Sequence, residues 1–363
     1  MPHTGPSFLE DATLKTPPKN NEIELTVFGR GFGECIVLHC GNNEFVVVDS
    51  FLNSKTRNPI ALDYLDAIGL SYSSIKEVII THWHQDHISG ISTIINNASS
   101  NVKVVLSPIV REKKFNDWLC GGLQMKSANT KEFEKVMSFI RTNQKCIRFA
   151  GQSKRTYSND ELGNSSIYSL SPQDEEIYSY LKKLILPEYG QEISYDLPDD
   201  NLLSIVLMME TKNGDGILLG GDMENRDDES IGWEAVINNY EYSNIKSSVF
   251  KVPHHGSETG HNEKIWQELL RPSPVSIITS FNKSGQLPKE EDILRIKALS
   301  KAVYIIGKDM KKDKELMQVA QKRNMNVKVL AIPSEIGMVR YRKNLDSGES
   351  CTQRFGAVRE YLN

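Results

Sequence analysis

Residues 81–87 of the chain read Thr-His-Trp-His-Gln-Asp-His, and this stretch determines how the whole sequence is interpreted. Three of the eight histidines in the 363-residue chain fall here, beside one carboxylate. The candidate metal ligands are His82, His84, Asp86 and His87. Alternate side chains of an extended loop point to opposite sides, so two of these ligands can face one ion and two another. The pattern therefore predicts two adjacent metal ions rather than one closed tetrahedral site.

The residues just before this loop favour a ligand role over a structural one. Val78-Ile79-Ile80 is typical of a buried strand. Desolvating three imidazoles and a carboxylate beside such a strand is costly unless a bound ion compensates. A lone histidine is usually a surface residue or a satisfied core residue, but this clustering indicates a metal site.

The overall composition is that of an ordinary globular protein, with 39% hydrophobic and 25% charged residues. Its net charge of −4 gives no overall basic field for nucleic acid, although a local patch stays open. No run approaches the ~20 apolar residues that span a bilayer, and the first residues contain no apolar signal core. The five cysteines are odd in number and lack Cys-x-x-Cys spacing, which argues against disulfides or a cysteine zinc site. We therefore expect a cytoplasmic protein with no membrane interaction.

Composition divides the chain into three parts. Residues 1–22 are polar and predict a flexible arm, residues 23–345 predict one domain, and residues 346–363 predict a C-terminal tail. Within the domain, residues 108–165 predict a partly helical insertion. This insertion is a candidate surface for a protein partner or a second copy of the chain.

Alternating apolar residues and turn signals predict strands in two blocks, with helices between them. Strands are expected at 23–28, 35–38, 45–48, 78–80, 203–209, 216–219, 248–252, 275–280, 302–306 and 327–331. Helices are expected at 59–68, 88–95, 129–140 and 173–185. Glycines separate the first three strands, which predicts an antiparallel meander. The whole pattern predicts an α/β fold, an αββα sandwich of two mixed sheets flanked by helices.

Two later motifs offer the remaining ligands of a two-metal site. Ile217-Leu218-Leu219-Gly220-Gly221-Asp222 is a buried strand that ends in glycines and an acid. Each oxygen of the Asp222 carboxylate could bind one cation, although an aspartate after Gly-Gly is by itself more typical of a turn. Lys251-Val252-Pro253-His254-His255 is another strand, and it ends in a pair of histidines. At least one of His254 and His255 is therefore a candidate ligand.

These motifs resemble those of the metallo-β-lactamase-fold hydrolases, over residues 23–345. The His-x-His-x-Asp-His pattern at 82–87 is the most specific, and an acid after an early strand, here Asp49, usually supports that loop. The closer resemblance is to the branch found in the cytoplasmic domain of bacterial DNA-uptake competence channels. Its motifs are Gly31-Phe32-Gly33-Glu34, residues 201–207, Gly220-Gly221-Asp222 and residues 253–257. The resemblance implies an αββα fold and a two-metal hydrolase.

The resemblance also implies a ligand set for each ion. The first ion would be held by His82, His84 and Asp222, and the second by Asp86, His87, Asp222 and His254. Nitrogen and oxygen ligands of this kind suit two divalent ions, Zn²⁺ or Mn²⁺. Many relatives carry a histidine shortly before the bridging acid, where this chain has Asn201, whose amide would support the first ion. Relatives often carry another histidine near the position of Gln286.

Two ions ~3.5–4 Å apart can share a hydroxide and lower its pKa toward neutrality. We expect this metal-bridging hydroxide to attack phosphorus in line, with Asp86 and His255 as catalytic residues. His255 would stabilise charge on the phosphoryl oxygens. The competence-like motifs favour a nuclease or phosphodiesterase that cleaves nucleic acid.

Two other functions stay open. The same centre could hydrolyse a small-molecule ester, either a phosphoester or a thioester. The departures at Asn201 and Gln286 could instead mark a degenerate metal-binding scaffold subunit of a larger complex. Basic clusters at 111–114, 154–155 and 311–312 are typical of solvated faces but could also bind a phosphate backbone.

Overall fold

The fold was obtained as a computed structural model of the chain. It describes residues 8–362 apart from 114, 116–127, 144–145, 160–164, 184–199, 242–244, 283–284 and 308–335. The predicted strand at 327–331 and the basic pair at 311–312 lie outside the described residues. The end of the predicted helix at 173–185 lies outside them as well.

Most of the predicted elements are present near their expected positions. The described strands are β1 (Glu22–Gly29), β2 (Glu34–His39), β3 (Phe45–Val48), β4 (Ile75–Ile79), β5 (Lys103–Leu106), β6 (Ile147–Phe149), β7 (Lys154–Ser158), β8 (Ser165–Ser169), β9 (Leu207–Thr211), β10 (Asp215–Leu219), β11 (Lys246–Lys251), β12 (Leu270–Thr279), β13 (Ala302–Ile306), β14 (Gly337–Asn344), β15 (Ser350–Gly356) and β16 (Val358–Leu362). The described α-helices are α1 (Ile60–Ala67), α2 (Gln85–Ile88), α3 (Ile91–Asn97), α4 (Ala128–Thr142), α5 (Asp174–Lys183), α6 (Gly232–Asn238) and α7 (Glu290–Leu299).

The strands form two eight-stranded sheets. The first sheet has the order β15-β14-β1-β2-β3-β4-β5-β6, and the second has the order β16-β13-β12-β11-β10-β9-β8-β7. The predicted antiparallel meander of β1, β2 and β3 is confirmed. Each sheet also contains a parallel run, from β3 to β6 in the first and from β10 to β13 in the second. Because neighbouring parallel strands end at the same edge of a sheet, the loops that follow them gather there.

Three apolar layers hold these elements together. Alternation along β1 sends Leu25 and Val27 into the core between the sheets, while Phe28 faces the helices outside the first sheet. The first outer layer packs α1, α3 and α4 against the first sheet. The second outer layer packs α6 and α7 against the second sheet, with Trp233 fully buried. The predicted αββα sandwich is therefore confirmed by the topology and the packing.

The C-terminal segment differs from the prediction. Residues 346–363 were expected to form a tail outside the domain, but β15 pairs with β14 and β16 pairs with β13. This segment therefore supplies one edge strand to each sheet. The pairing was not evident from sequence because edge strands are only partly buried and show little apolar alternation.

The arm and the insertion also contribute to the fold. Leu14 is fully buried, and the Arg340 guanidinium donates hydrogen bonds to the carbonyls of Thr13 and Leu14 at 2.9 and 2.8 Å. Within residues 108–165, β6 joins the first sheet and β7 joins the second, where it pairs with β8 at the end of this span. The part of the insertion around α4 thus packs outside the first sheet.

The helix expected at 88–95 is divided in two. Gly90 separates α2 from α3 with a φ of +84°, and a Cβ at this position would lie 2.4 Å from Leu52 Cδ2. A side chain would therefore meet both backbone strain and a clash at this position. No helix within the described residues is long and apolar enough to cross a membrane.

Candidate metal centre

Loops from both sheets bring the candidate ligands to one edge of the sandwich. In the first sheet, Asp49 follows β3, and the loop at 81–87 follows β4. In the second sheet, Asp222 follows β10, and His255 follows β11. The two halves of the site are thus built alike, because each comes from two adjacent parallel strands.

The side chains form two groups suited to metal binding. One group contains His82, His84 and Asp222, and the other contains Asp86, His87 and His255. Within each group, the ligand atoms lie within 4.8 Å of one another. Five of these six side chains are buried, with His84 the partly exposed member. The structure thus brings together every predicted metal ligand except His254.

One oxygen of Asp222 lies at the centre of the two groups. Its Oδ2 atom is 3.4 Å from His87 Nε2, 3.6 Å from His255 Nε2 and 3.7 Å from His82 Nε2. Asp86 Oδ2 lies 3.8 Å from the Nε2 atoms of His87 and His255. Tetrahedral zinc with bonds of about 2.0–2.1 Å separates its ligand atoms by about 3.3–3.4 Å. The observed separations are close to that spacing.

Hydrogen bonds fix three of the imidazole rings from behind. His87 Nδ1 donates to Asp49 Oδ2 at 2.7 Å, and His255 Nδ1 donates to the Thr279 carbonyl at 3.0 Å. The Thr81 hydroxyl donates to Asp49 at 2.6 Å, so His82 Nδ1, 3.0 Å away, is the donor to Thr81 Oγ1. In all three rings the proton is on Nδ1, which leaves Nε2 unprotonated and able to bind a metal ion; His82 Nε2 also lies 3.0 Å from His84 Nδ1, its partner in the first group.

The Asp49 carboxylate supports the loop at 81–87 through hydrogen bonds, the role predicted for it. Its Oδ1 atom accepts a hydrogen bond from the Thr81 backbone N–H at 2.8 Å, in addition to the two that Oδ2 accepts. The residue has a φ of +57°, a left-handed conformation that aspartate and asparagine tolerate better than most residues. This conformation aims the carboxylate back at His87.

The electrostatics of the buried cluster fit a bound cation. Burial opposes the ionised form of Asp222, but the neighbouring His255 and His87 rings hold the pKa of this carboxyl well below its usual range. Burial likewise opposes a charged His87, yet Asp222, Asp49 and Asp86 raise the pKa of this ring well above its usual value. The carboxylates therefore require positive charge at this position, which a divalent ion can supply in place of a proton.

Buried polar atoms that lack a hydrogen-bond partner provide a second test of whether these residues suit a metal ion. Among the described residues, Asp222 Oδ1 and His87 Nε2 are buried and have no hydrogen-bond partner. Buried polar atoms in native proteins rarely stay unsatisfied, because the loss of hydration is costly. Both atoms belong to the ligand set, so the residues present suit divalent metal ions.

His254, the predicted ligand of the second ion, lies outside this cluster. Its neighbour His255 lies inside it. Both residues have left-handed backbones, with φ values of +45° and +53°, and their ring centroids are 6.2 Å apart. His254 Nδ1 lies 2.7 Å from Glu224 Oε1 and 3.0 Å from Thr259 Oγ1. His255 is the member that faces Asp86 and Asp222. Sequence could not separate the two rings because their direction depends on this unusual backbone turn.

The structure places Asn201 three residues before Ser204, which contacts Asp222, and does not test its role. The residue is buried in a 3₁₀ turn, Asp200–Leu203. The hydroxyl of Ser204, one turn later, accepts a hydrogen bond from the Asp222 backbone N–H at 2.8 Å. Support of the first ion by the Asn201 amide therefore stays a prediction.

A buried ion pair beside the cluster had no predicted role. Lys251 Nζ lies 2.6 Å from Glu34 Oε2, and both side chains are almost fully buried. Glu34 also accepts a hydrogen bond from the Thr279 hydroxyl, while Lys251 donates to the Gly221 carbonyl at 3.5 Å. The pair joins β2 of the first sheet to β11 of the second. A charged residue at an inward position of each apolar strand was the sequence signal for this pair.

Glu34, Asp49 and His87 form a third group of ligand-type atoms. Its acidic members already have partners, since Lys251 pairs with Glu34 and His87 Nδ1 pairs with Asp49. We therefore assign this group to support of the cluster and not to a further ion.

Comparisons with known proteins leave the branch open. A family model described as anti-Pycsar protein Apyc1 matches residues 54–175, about a third of the chain. A search of curated proteins finds no match. The matched span contains the loop at 81–87 but neither Asp222 nor His255. The competence-channel branch is not confirmed.

Several solved structures are similar to the chain at low identity. A metallo-β-lactamase from Cronobacter sakazakii with a substituted HARLDQ motif is 12% identical, with a TM-score of 0.31, covering 54% of this chain and 60% of that one. A protein from Thermotoga maritima described as a metallo-β-lactamase is 15% identical, with a TM-score of 0.33 and coverages of 56% and 81%. Human short-form tRNase Z is 11% identical, with a TM-score of 0.33 and coverages of 62% and 76%. The match thus spans less than two thirds of the Cronobacter chain.

Proposed function

We propose that the protein is a metal-dependent phosphodiesterase that hydrolyses nucleotide phosphodiesters. The observation that carries the proposal is the convergence of three imidazole Nε2 atoms on Asp222 Oδ2, with Asp86 beside them. Each ring is fixed through Nδ1, so the ligands are oriented before any ion binds. Such preorganisation is typical of a working metal centre.

Two divalent cations, when bound, would supply Lewis-acid charge to a phosphoryl group and lower the pKa of a water molecule. His82, His84 and Asp222 would hold one ion, and Asp86, His87 and His255 would hold the other, with Asp222 shared between them. This set replaces His254 by His255 and keeps the other predicted ligands.

The protein's own residues would then position the site. Asp49 keeps His87 in one tautomer, and Thr81 does the same for His82. The Glu34–Lys251 pair lies behind Asp222, where Lys251 fixes the Gly221 carbonyl. Because this pair spans the two sheets, it holds the two halves of the ligand set in register.

An aromatic pair beside His255 favours a nucleotide. The Phe281 ring stacks on the His255 ring, with centroids 5.0 Å apart and planes at 28°, and Phe32 lies 5.8 Å from Phe281. Both phenylalanines are partly exposed. Nucleobases stack readily on such rings, whatever their sequence.

Two classes of phosphodiester are the candidate substrates. The sequence motifs favoured nucleic acid. The match to the anti-Pycsar family model over the loop at 81–87 instead favours a cyclic nucleotide. We rank the cyclic nucleotide first, because the net charge of −4 offers no overall attraction to a polymer.

The deciding experiment compares substrates under one metal condition. Purified protein with added Mn²⁺ or Zn²⁺ is incubated with bis-p-nitrophenyl phosphate, 3′,5′-cyclic nucleotides, single-stranded DNA, duplex DNA and RNA. Asp222→Asn is the test variant, and Asp227→Asn, an exposed aspartate five residues later, is the matched control. We expect cleavage of the cyclic nucleotides by wild type and control, and loss of it in Asp222→Asn.

Other results would change the assignment. Cleavage of DNA or RNA alone would restore the nuclease prediction. Cleavage of other esters alone would favour the small-molecule ester hydrolase. Equal activity in Asp222→Asn would exclude the metal mechanism, and no activity with any metal would favour the scaffold subunit.

A further inference from the structure

A cavity separate from the metal centre lies at the opposite end of the sandwich. It has a volume of about 390 Å³, within the range of about 300–1,000 Å³ of small-ligand sites. Lys76 and Glu77 line it from the first half of β4, and Lys103 lines it from the start of β5. The metal loop leaves the opposite end of β4. Thr156 and Tyr157 of β7 line the cavity from the second sheet, so it opens between the edges of both sheets.

A buried carboxyl points into this cavity. Glu77 is only 1% exposed, and among the described residues neither of its oxygens has a hydrogen-bond partner. The Arg148 guanidinium lies 3.5 Å from Glu77 Oε2 and is 42% exposed. Burial raises the pKa of Glu77 to about 7, because the nearby Thr156 side chain and the Arg148 charge compensate only weakly. An acceptor left in this condition indicates a site for donors from outside the chain.

Positive charge surrounds the same cavity. Lys76, Lys103, Arg148 and Arg155 line it, against the acids Glu44 and Glu77. Glu44 is occupied, since its carboxylate accepts a hydrogen bond from the Tyr157 hydroxyl. Four cations against two acids leave an excess of positive charge, which suits an anionic group on a ligand. Arg155, one member of the basic pair at 154–155, thus lines a cavity that has no part in the proposed function.

We infer that this cavity binds a small phosphorylated ligand that also carries N–H donors, the class of the nucleoside monophosphates. The phosphate would pair with the lysine and arginine side chains, and the N–H donors would bind the two Glu77 oxygens, which have no hydrogen-bond partner among the described residues. Neither half of this arrangement is sufficient by itself, because phosphate would leave the Glu77 oxygens without hydrogen-bond donors and an uncharged base would leave the excess positive charge of the lining without an anion. Guanine is the base that tests this arrangement most directly, because it offers adjacent N–H donors to the two oxygens of one carboxylate.

The test measures equilibrium binding of GMP, guanosine and inorganic phosphate to the metal-loaded protein by isothermal titration calorimetry. The variants are Glu77→Gln, which keeps the volume of the side chain, and Arg148→Gln, which changes an exposed residue. Asp222→Asn separates this cavity from the metal centre, and Arg271→Gln is a control arginine outside the cavity. We expect saturable GMP binding that Glu77→Gln and Arg148→Gln each weaken at least about tenfold, the effect of losing a charge-assisted hydrogen bond.

Asp222→Asn and Arg271→Gln are expected to keep that binding. Guanosine and phosphate are expected to bind more weakly than GMP by a similar factor. Loss of all GMP binding in Asp222→Asn, with none lost in Arg148→Gln, would overturn the inference by placing the ligand at the metal centre. No saturable binding at millimolar GMP would also overturn it, and so would phosphate binding as tightly as GMP. Because the cavity does not share residues with the metal centre, the inference stands apart from the proposed hydrolase activity.

Discussion

Asp222 and Glu77 are buried carboxyls in the same sandwich, at 3% and 1% exposure, yet their protonation differs. Asp222 lies among imidazole rings that hold its pKa well below the usual range, with His255 the strongest of them. Glu77 has one partly exposed guanidinium 3.5 Å away, and burial raises its pKa to about 7. Burial alone therefore does not decide the charge of a carboxyl, because the cations that the fold places around it can outweigh desolvation.

Asp222 and Glu77 belong to two different kinds of site. At the metal end, three strand ends supply the ligands and a fourth supplies the supporting Asp49, and hydrogen bonds already fix three of the imidazole rings. At the other end, the carboxyl is oriented by its strand but not neutralised by any contact of comparable strength. The first arrangement fits a resident cation, and the second fits an exchangeable ligand.

The largest effect is expected from Asp222→Asn. The substitution removes the shared ligand, and metal ions contribute several kcal/mol to stabilising phosphoryl charge. Phosphodiesterase activity should therefore fall on the order of 10³-fold, at 1.36 kcal/mol for each tenfold. Steady-state kinetics with bis-p-nitrophenyl phosphate, together with metal analysis, would measure this. An unchanged rate with normal metal content would remove Asp222 from the centre.

The next effect concerns stability and pH at Glu77. Its folded pKa of about 7 is above the ordinary value of 4.5, so the folded state binds this proton more tightly than the unfolded state. The free energy of unfolding should therefore decrease as pH rises from about 4.5 to about 7, by about 3 kcal/mol in total.

Glu77→Gln should remove this part of the slope, because glutamine does not titrate. Urea denaturation of wild type and variant at several pH values would show it as a difference between the two curves. Glu176, whose pKa burial raises to about 8, adds a slope of the same sign to both proteins and cancels in that difference. Parallel curves would show that Glu77 is neutralised by a contact of its own, and the contrast with Asp222 would disappear.

Asp49→Asn should have a smaller effect on the metal end. Asparagine tolerates the left-handed φ of +57° but offers one acceptor oxygen, so it cannot support both Thr81 and His87 equally. Loss of such support around a metal ligand costs about 10–100-fold in metal affinity. Titration with Mn²⁺ would measure the change. If high metal concentration restores the rate, Asp49 positions the ligands, whereas a rate that stays low would indicate a more direct role.

The smallest effect is expected from His254→Ala. Its ring pairs with Glu224 and lies outside the ligand cluster, so metal content should be unchanged and activity should fall by less than about tenfold. His255→Ala should lose an ion under the same conditions. Metal analysis of both variants by mass spectrometry would test the pair. Loss of an ion in His254→Ala alone would return His254 to the ligand set.

Much of the metal centre was predictable from local sequence. The spacing of His82, His84, Asp86 and His87 is meaningful without the fold, because a short loop keeps near neighbours together. Asp222 and His255 could be proposed because each follows an apolar strand. The choice between His254 and His255 was not predictable, since it depends on two consecutive left-handed residues.

The cavity at Glu77 was less accessible to sequence reasoning. Glu77 lies next to residues whose pattern predicts a strand, and the basic pair at 154–155 is typical of a solvated face. Their proximity arises only because the edges of the two sheets meet. The strands at 350–356 and 358–362 were missed because they are only partly buried and show little apolar alternation, and the partner of the second lies far earlier in the chain.

The αββα class and most of the candidate ligands could be predicted from the residues alone. Apolar periodicity and the chemistry of clustered imidazoles are local properties, so they can be read along the chain. The tertiary structure decided which rings face one another, which carboxyls gain cationic neighbours and where a second cavity opens. Those properties depend on distances between residues far apart in sequence, and electrostatic interactions depend steeply on both distance and burial.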